Sequence, residues 1–195
     1  MRPGLRERKK TATRQALHEA AVALSIEHGL DKVTVEAIAD AAEVSRRTFS
    51  NYFASKEEAL LYGDQVRMHM LVDAIRERPA AEAPWAALTG AALGLQHVLG
   101  ARDPRWVAQV RLVRRHPALA AQQVSTYAAM ENEVAAAIAA RAEWSATCPL
   151  RTRLMAAAFL VAMRVAVQEW LDRPSGTALP DVMREALDEI GAAFR

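Results

Sequence analysis

The sequence predicts an all-α fold of about nine helices, and three observations carry the prediction. Apolar residues recur at helical spacing almost throughout, no segment longer than residues 32–35 alternates or clusters like a strand, and capping or breaking residues punctuate the periodic runs. Composition agrees, because 52% apolar and 25% charged residues with eight Gly and eight Pro belong to a globular chain rather than a disordered or fibrous one. A length of 195 residues accommodates one well-cored domain, or a small domain joined to a larger one.

A first helix is expected over about Leu5–His28, with Leu17, Ala20, Ala21 and Leu24 on one face, and Gly29 stops it as a left-handed C-terminal residue. Thr34 is placed to cap free backbone N–H groups of a two-turn second helix whose inner face is Val35, Ile38, Ala39 and Ala42. After Glu43 and Val44, Ser45 caps a short third helix through Tyr52. Ser55 with Lys56, Glu57 and Glu58 reads as the capped, acidic start of a fourth, which continues past Tyr62, Val66 and Met70 to about Glu77. Residues 79–84, bounded by Pro79 and Pro84, interrupt the pattern. Further helices are expected over residues 85–99, 104–115, 118–144, 150–173 and 180–194, separated by Gly100, Pro117, Pro149, and Pro174 with Gly176. A seam in or next to the fourth helix divides the chain into residues 1–60 and 61–195.

Net charge is only +2, yet Arg2, Arg6, Arg8, Lys9, Lys10 and Arg14 crowd the first fourteen residues against Glu7 alone. Such a cluster attracts a polyanion, either a phosphate backbone or an anionic membrane surface. The single Cys148 excludes an intrachain disulfide, and the N-terminus lacks the apolar core of a signal peptide, so the cytoplasm is the expected location. The longest apolar run, residues 154–163, is broken by Arg164 and falls short of the roughly 20 residues a span needs, so no membrane partner is expected. His18, His28, His69, His97 and His116 have no metal-ligand spacing, Cys148 has no adjacent histidine, and there is neither a phosphate-cradling glycine loop nor a nucleophile elbow. Catalysis, a metal and a cofactor are therefore not expected.

Two short helices joined by three residues bury too little alone, so they need the first and fourth helices to complete a core. Ala39 permits a close crossing, Val44 plugs the turn and Phe49 points inward, which is the helix-turn-helix arrangement. The third helix would then present Arg46, Arg47, Thr48, Ser50 and Asn51 outward, side chains suited to base edges and phosphates. With Thr34, Ser45, Tyr52 and Lys56 they form the candidate DNA-binding set.

The ordered set Thr34, Val35, Ile38, Ala39, Ala42, Val44, Ser45, Thr48, Phe49, Tyr52, Phe53, Ser55, Lys56 and Leu60 resembles the signature of the TetR family, over residues 17–61. The remaining length and helix count are similar to that family's dimerising, ligand-sensing domain. The resemblance implies a repressor with an N-terminal three-helix DNA-binding domain, in which Thr34 and Lys56 touch phosphates and Tyr52 packs against the groove backbone. Helix N-termini suit those phosphate roles. Two positions depart from the family: Glu43 stands where Gly is usual, which strains the turn by about 1 kcal/mol, and Ser50 replaces the usual aromatic of the recognition helix.

Residues 154–171 are apolar on almost every face and must be covered all round, by the chain's own domain and by a second copy. Leu179, Met183, Leu187, Ile190 and Phe194 form a stripe on the last helix, so the last two helices of two chains are expected to make a four-helix homodimer interface. The resemblance further implies a small-molecule effector lodged among helices four to eight, which pushes the far end of helix four and tilts the headpieces off DNA. Met68, Leu95, Trp106, Val110, Tyr127, Met130, Phe159 and Met163 are candidate pocket residues, with plain core as the alternative. Arg164 needs an anionic or carbonyl partner, expected to be Glu131 or Glu169, or else a ligand's acid group. Gly90 and Gly94, one turn apart, permit close helix packing, which is the expectation, or leave room for a ligand. Residues 111–119 look similar to family members that sense fatty acyl-CoA thioesters, in which case Arg111, Arg114 and Arg115 meet phosphates; an ordinary basic surface is the alternative.

Overall fold

The computed structural model describes residues 4–99, 103–141, 149–174 and 176–194. Arg2, Gly100, Trp144 and Cys148, and the side chain of His97, lie outside the described residues. Among those described there are nine α-helices and no strand: α1 (Leu5–His28), α2 (Val35–Ala41), α3 (Arg46–Tyr52), α4 (Lys56–Glu77), α5 (Pro84–Leu99), α6 (Pro104–Arg115), α7 (Pro117–Ala139), α8 (Pro149–Asp172) and α9 (Leu179–Gly191). Gly29 takes the expected positive φ, 82°, but pairs it with ψ 142°, so the chain leaves α1 extended rather than in a left-handed turn. Short 3₁₀ turns follow at Leu30–Lys32 and, after α9, at Ala192–Phe194.

The chain forms two compact units. The first holds Met1–Val66 together with Pro104–Gln123. It therefore reaches past the expected boundary at residue 60 and takes in α6 and the start of α7. The cause is physical: Val113 and Leu119 are buried in the same core as Leu17, Ala21, Ile38, Ala39, Phe49, Phe53, Leu60 and Leu61. Within this unit α1 packs on both α2 and α6.

The second unit holds Arg67–Asp103 and Val124–Arg195. Its centre is Trp85 of α5, fully within reach of three partners. The indole lies edge-on to Phe159 at 6.3 Å, stacks on Phe194 at 5.0 Å and donates its N–H to the Leu187 carbonyl at 3.2 Å. That bond satisfies the polar end of an otherwise apolar ring. On α8, Met155, Ala156, Phe159, Leu160, Ala162, Met163 and Ala166 are buried. This helix has the length and hydropathy to cross a membrane, but that buried face belongs to the protein's own core, against α9.

Leu179, Met183 and Leu187 of the α9 stripe are buried within the unit while Ile190 and Phe194 are half-buried, and α8 leaves Leu150, Leu154, Val161 and Val165 exposed. Two expectations are corrected here. Helix α7 stops at Ala139 instead of continuing to 144, because Arg141 turns to donate to the carbonyls of Ile75, Arg78, Pro79 and Glu82. The guanidinium thus gathers carbonyls at and just beyond the end of α4. Arg164 meets neither Glu131 nor Glu169: its guanidinium donates to Gln168 at 3.3 Å, while Glu131 pairs with Arg153 and Glu169 with Arg173. One turn of helix brings Gln168 under Arg164 and leaves both carboxylates to nearer cations.

Two predictions follow from this packing. A Cβ at Gly191 would fall 2.2 Å from Trp85 Nε1, so Gly191→Ala lowers stability by about 1–3 kcal/mol in thermal melts, as overpacking does. The Arg78 guanidinium bonded to Glu82 holds that carboxyl below its ordinary value of 4.5. The stabilisation it gives is present above 4.5 and lost as pH falls through the lowered folded value. The stability gap between the parent protein and Glu82→Gln should therefore close on acidification.

Candidate nucleic-acid interface

The helix-turn-helix is assembled from local caps. Thr34 Oγ1 accepts from the Ala37 N–H at 3.1 Å and starts α2; Ser45 Oγ accepts from the Thr48 N–H at 3.0 Å and starts α3. The start of α4 is closed twice, by the Glu58 N–H on Ser55 Oγ at 3.1 Å and by the Ala54 N–H on Glu58 Oε2 at 2.7 Å. Between α2 and α3, Glu43 sits at φ 54°, in the left-handed region. The turn is held regardless, because the Val44 N–H reaches the Ala39 carbonyl at 2.9 Å and the Glu43 N–H the Asp40 carbonyl at 3.0 Å.

With Ile38, Ala39 and Phe49 buried, the opposite face of α3 can only point outward. Arg46, Arg47, Ser50 and Asn51 are exposed, and Thr48 and Tyr52 half-buried. Thr34 and Ser45 are exposed beside them at the starts of α2 and α3. Arg46 is held 2.8 Å from Glu36 of α2, which aims the guanidinium without neutralising Arg47. Lys56 does more than offer charge: its ammonium donates to the Leu30 and Val33 carbonyls at 2.8 and 2.9 Å. It ties the start of α4 to the 3₁₀ turn before α2 and has one further proton to give.

Three residues that position the recognition helix were not singled out for that role from the sequence. Arg14 donates to the Tyr52 carbonyl at 3.4 Å, with its guanidinium 5.7 Å from the Phe53 ring centre and 5.5 Å from that of Tyr62. It holds the end of α3 against α1 through a carbonyl cap and two cation–π contacts. Its place three residues before Leu17 and seven before Ala21 was the available signal. His18 donates from Nδ1 to the Ala59 carbonyl at 2.9 Å and meets the Tyr62 ring edge-on. Gln109 of α6 donates to the Leu60 carbonyl at 2.9 Å, a contact across 49 residues that no local pattern announces. An open groove of about 830 Å³ lies between the first turns of α1 and the outer face of α3. Leu5, Arg6, Glu7, Lys9, Lys10 and Thr13 form one wall, and Thr48, Asn51 and Tyr52 the other.

Residues 17–62 match the family described as bacterial regulatory proteins of the tetR family, and residues 82–195, more than half the chain, match the MftR C-terminal domain. The chain belongs to the TetR family of transcriptional regulators. It is 37% identical to the HTH-type transcriptional regulator TcmR of Streptomyces glaucescens over 199 residues, covering 96% of this chain and 87% of that protein. A Mycobacterium tuberculosis protein named as the mycofactocin biosynthesis transcriptional regulator MftR is 29% identical over 191 residues, covering 96% and 93%. Both are regulators by name, and neither is named as an enzyme. Among solved structures, Thermus thermophilus FadR, a repressor in complex with lauroyl-CoA, superposes with a TM-score of 0.63 at 21% identity over 91% of this chain and 92% of that one.

For the effector side of this TetR-family chain, the candidate pocket residues divide between the two units. Trp106 and Val110 lie half-buried in the first. Met68, Met130, Phe159 and Met163 are buried in the second, where Leu95, Tyr127 and Arg164 are half-buried. Gly90 is closely packed, with a Cβ there falling 2.8 Å from the Arg78 guanidinium carbon, but Gly94 faces open space. At Gly90 the close neighbour is thus an arginine side chain in place of a helix, and at Gly94 there is no close neighbour. Arg111, Arg114 and Arg115 are exposed along α6. Among the described residues, no group of three or more His, Cys, Asp or Glu is placed to hold a metal ion.

The strained turn supplies a test with a definite sign. Glu43→Gly removes a side chain from a φ of 54° and should raise the melting temperature, by up to about 1 kcal/mol of stability. The exposed face of α3 is untouched by this change, so DNA affinity should stay the same.

Proposed function

We propose that this TetR-family regulator is a cytoplasmic, ligand-released repressor that binds a palindromic operator as a homodimer. Residues 1–60 dock on DNA, through Thr34, Ser45, Arg46, Arg47, Thr48, Ser50, Asn51, Tyr52 and Lys56, and residues 61–195 dimerise and sense the effector. The observation that carries the reading is the outward face of α3, where Arg46, Arg47, Ser50 and Asn51 are exposed because Phe49 is buried. Arg47 and Asn51 are suited to base edges, and Lys56 and Thr34 to phosphates.

Dimerisation through the last two helices is supported by the exposed row of Leu150, Leu154, Val161 and Val165 on α8. Their spacing places them on one side of the helix, an apolar stripe that a second copy would cover. Two copies would set their α3 helices about 34–36 Å apart, the distance between successive major grooves. The effector is a small hydrophobic or acyl-type molecule, with Met68, Leu95, Tyr127, Met130, Phe159 and Met163 of the second unit as its candidate contacts and Arg164 for an acid group. The methionines and aromatic rings suit such a ligand, Arg164 has a neutral partner in Gln168, and the similarly folded FadR is in complex with lauroyl-CoA. Release requires that the effector bind the released shape better than the DNA-bound one, by about 1–3 kcal/mol for an ordinary allosteric coupling.

A shift assay on the DNA upstream of the protein's own gene tests the reading. Arg47→Ala should cost about 1–3 kcal/mol on the preferred operator and relax sequence choice, whereas Lys56→Ala should weaken all duplexes alike and lower the salt slope by about one. Unchanged binding and salt dependence in both variants would refute this docking model. Ligand that co-purifies, identified by mass spectrometry and added back, should release the DNA.

A further inference from the structure

We infer that the groove between the first turns of α1 and the outer face of α3 is a second DNA site, which takes a sugar–phosphate strand flanking the base pairs read by α3. The inference rests on the DNA-binding reading above and extends it to residues of α1 outside the helix-turn-helix. Because α1 is already helical from Leu5, Arg6, Lys9, Lys10 and Thr13 are spaced to share one helical face. They form one wall of the groove, opposite Asn51 and Tyr52 of α3.

Charge decides the occupant. Three cations face the groove against Glu7 alone, and all three are exposed. Among the described residues none of the three is in an ion pair, in contrast to Arg46 with Glu36, Arg78 with Glu82 and Arg173 with Glu169 and Glu185. Cations left in water on one wall of a cleft raise the local concentration of a polyanion. Thr13, Thr48 and Tyr52 add hydrogen-bonding groups for phosphate oxygens. An anionic membrane is the poorer fit, since Leu5 is the sole aliphatic side chain in the lining and offers no apolar face to insert. A site of this kind positions the protein without reading sequence, so it strengthens binding to every duplex alike.

The test compares the full-length protein with the triple variant Arg6→Ala, Lys9→Ala, Lys10→Ala on a mixed-sequence duplex of about three helical turns, titrated across salt concentrations. The variant should bind on the order of tenfold more weakly near physiological salt, with a salt slope lower by about two to three per bound protomer. The charge-retaining variant Arg6→Lys, Lys9→Arg, Lys10→Arg should recover both, and melting temperatures should match because these side chains are exposed. A parent protein that binds the duplex while the alanine variant shows the same affinity and slope overturns this inference and leaves the recognition-helix reading standing. Loss of binding to phosphatidylglycerol vesicles with DNA binding intact overturns it too. A parent protein indifferent to duplex even at low salt overturns both.

Discussion

The outward face of α3 exists because its inward face cannot be given up. Helices α2 and α3 are seven residues each, well below the length at which a helix is stable by itself in water. They are helical because Ile38, Ala39 and Phe49 are buried in a core that α1, α4 and the α6–α7 segment complete. Once Phe49 is fixed inward, helical geometry leaves Arg46, Arg47, Ser50 and Asn51 no other direction than solvent. Packing and the proposed recognition are therefore two faces of one constraint, and a loss of core at Phe49 would be a loss of the proposed DNA surface.

The contacts that hold this small unit together from a distance are mostly donors aimed at carbonyl oxygens. Arg14 reaches Tyr52, His18 reaches Ala59, Lys56 reaches Leu30 and Val33, and Gln109 reaches Leu60. The second unit uses the same device where Arg141 gathers the carbonyls at the end of α4. Carbonyl caps fix helix ends without spending carboxylates, so the basic residues of the first turns of α1 remain unneutralised. For a protein whose partner is a polyanion, Arg14 thus holds the fold while Arg6, Lys9 and Lys10 face outward, and Lys56, with one proton left over, is placed for both.

What was legible in the sequence is what depends on neighbours within a few residues. Thr34, Ser45 and Ser55 cap the helices they precede, Phe49 and Ala39 are core, and Glu43 takes the left-handed conformation where the family resemblance implies Gly. What was not legible depends on residues far along the chain. No local pattern says that Val113 and Leu119 join the N-terminal core, that Arg141 ends α7, or that Arg164 takes Gln168 in place of a carboxylate. The apolar stripe of α9 was visible, but not its cover: Trp85, about a hundred residues earlier, occupies the space beside Leu187 and Gly191. The same amphipathic pattern serves an internal partner or an external one, and only three-dimensional packing distinguishes them.

The central claim is that two copies of α3 enter consecutive major grooves on one side of a duplex. Hydroxyl-radical footprinting of the protein on the strongest site in its own upstream DNA measures this directly. The account predicts protected patches repeating about one helical turn apart, symmetric about a two-fold centre and erased by the effector. A single unsymmetric patch, or uniform cleavage at protein concentrations that saturate a mixed-sequence duplex, would contradict it.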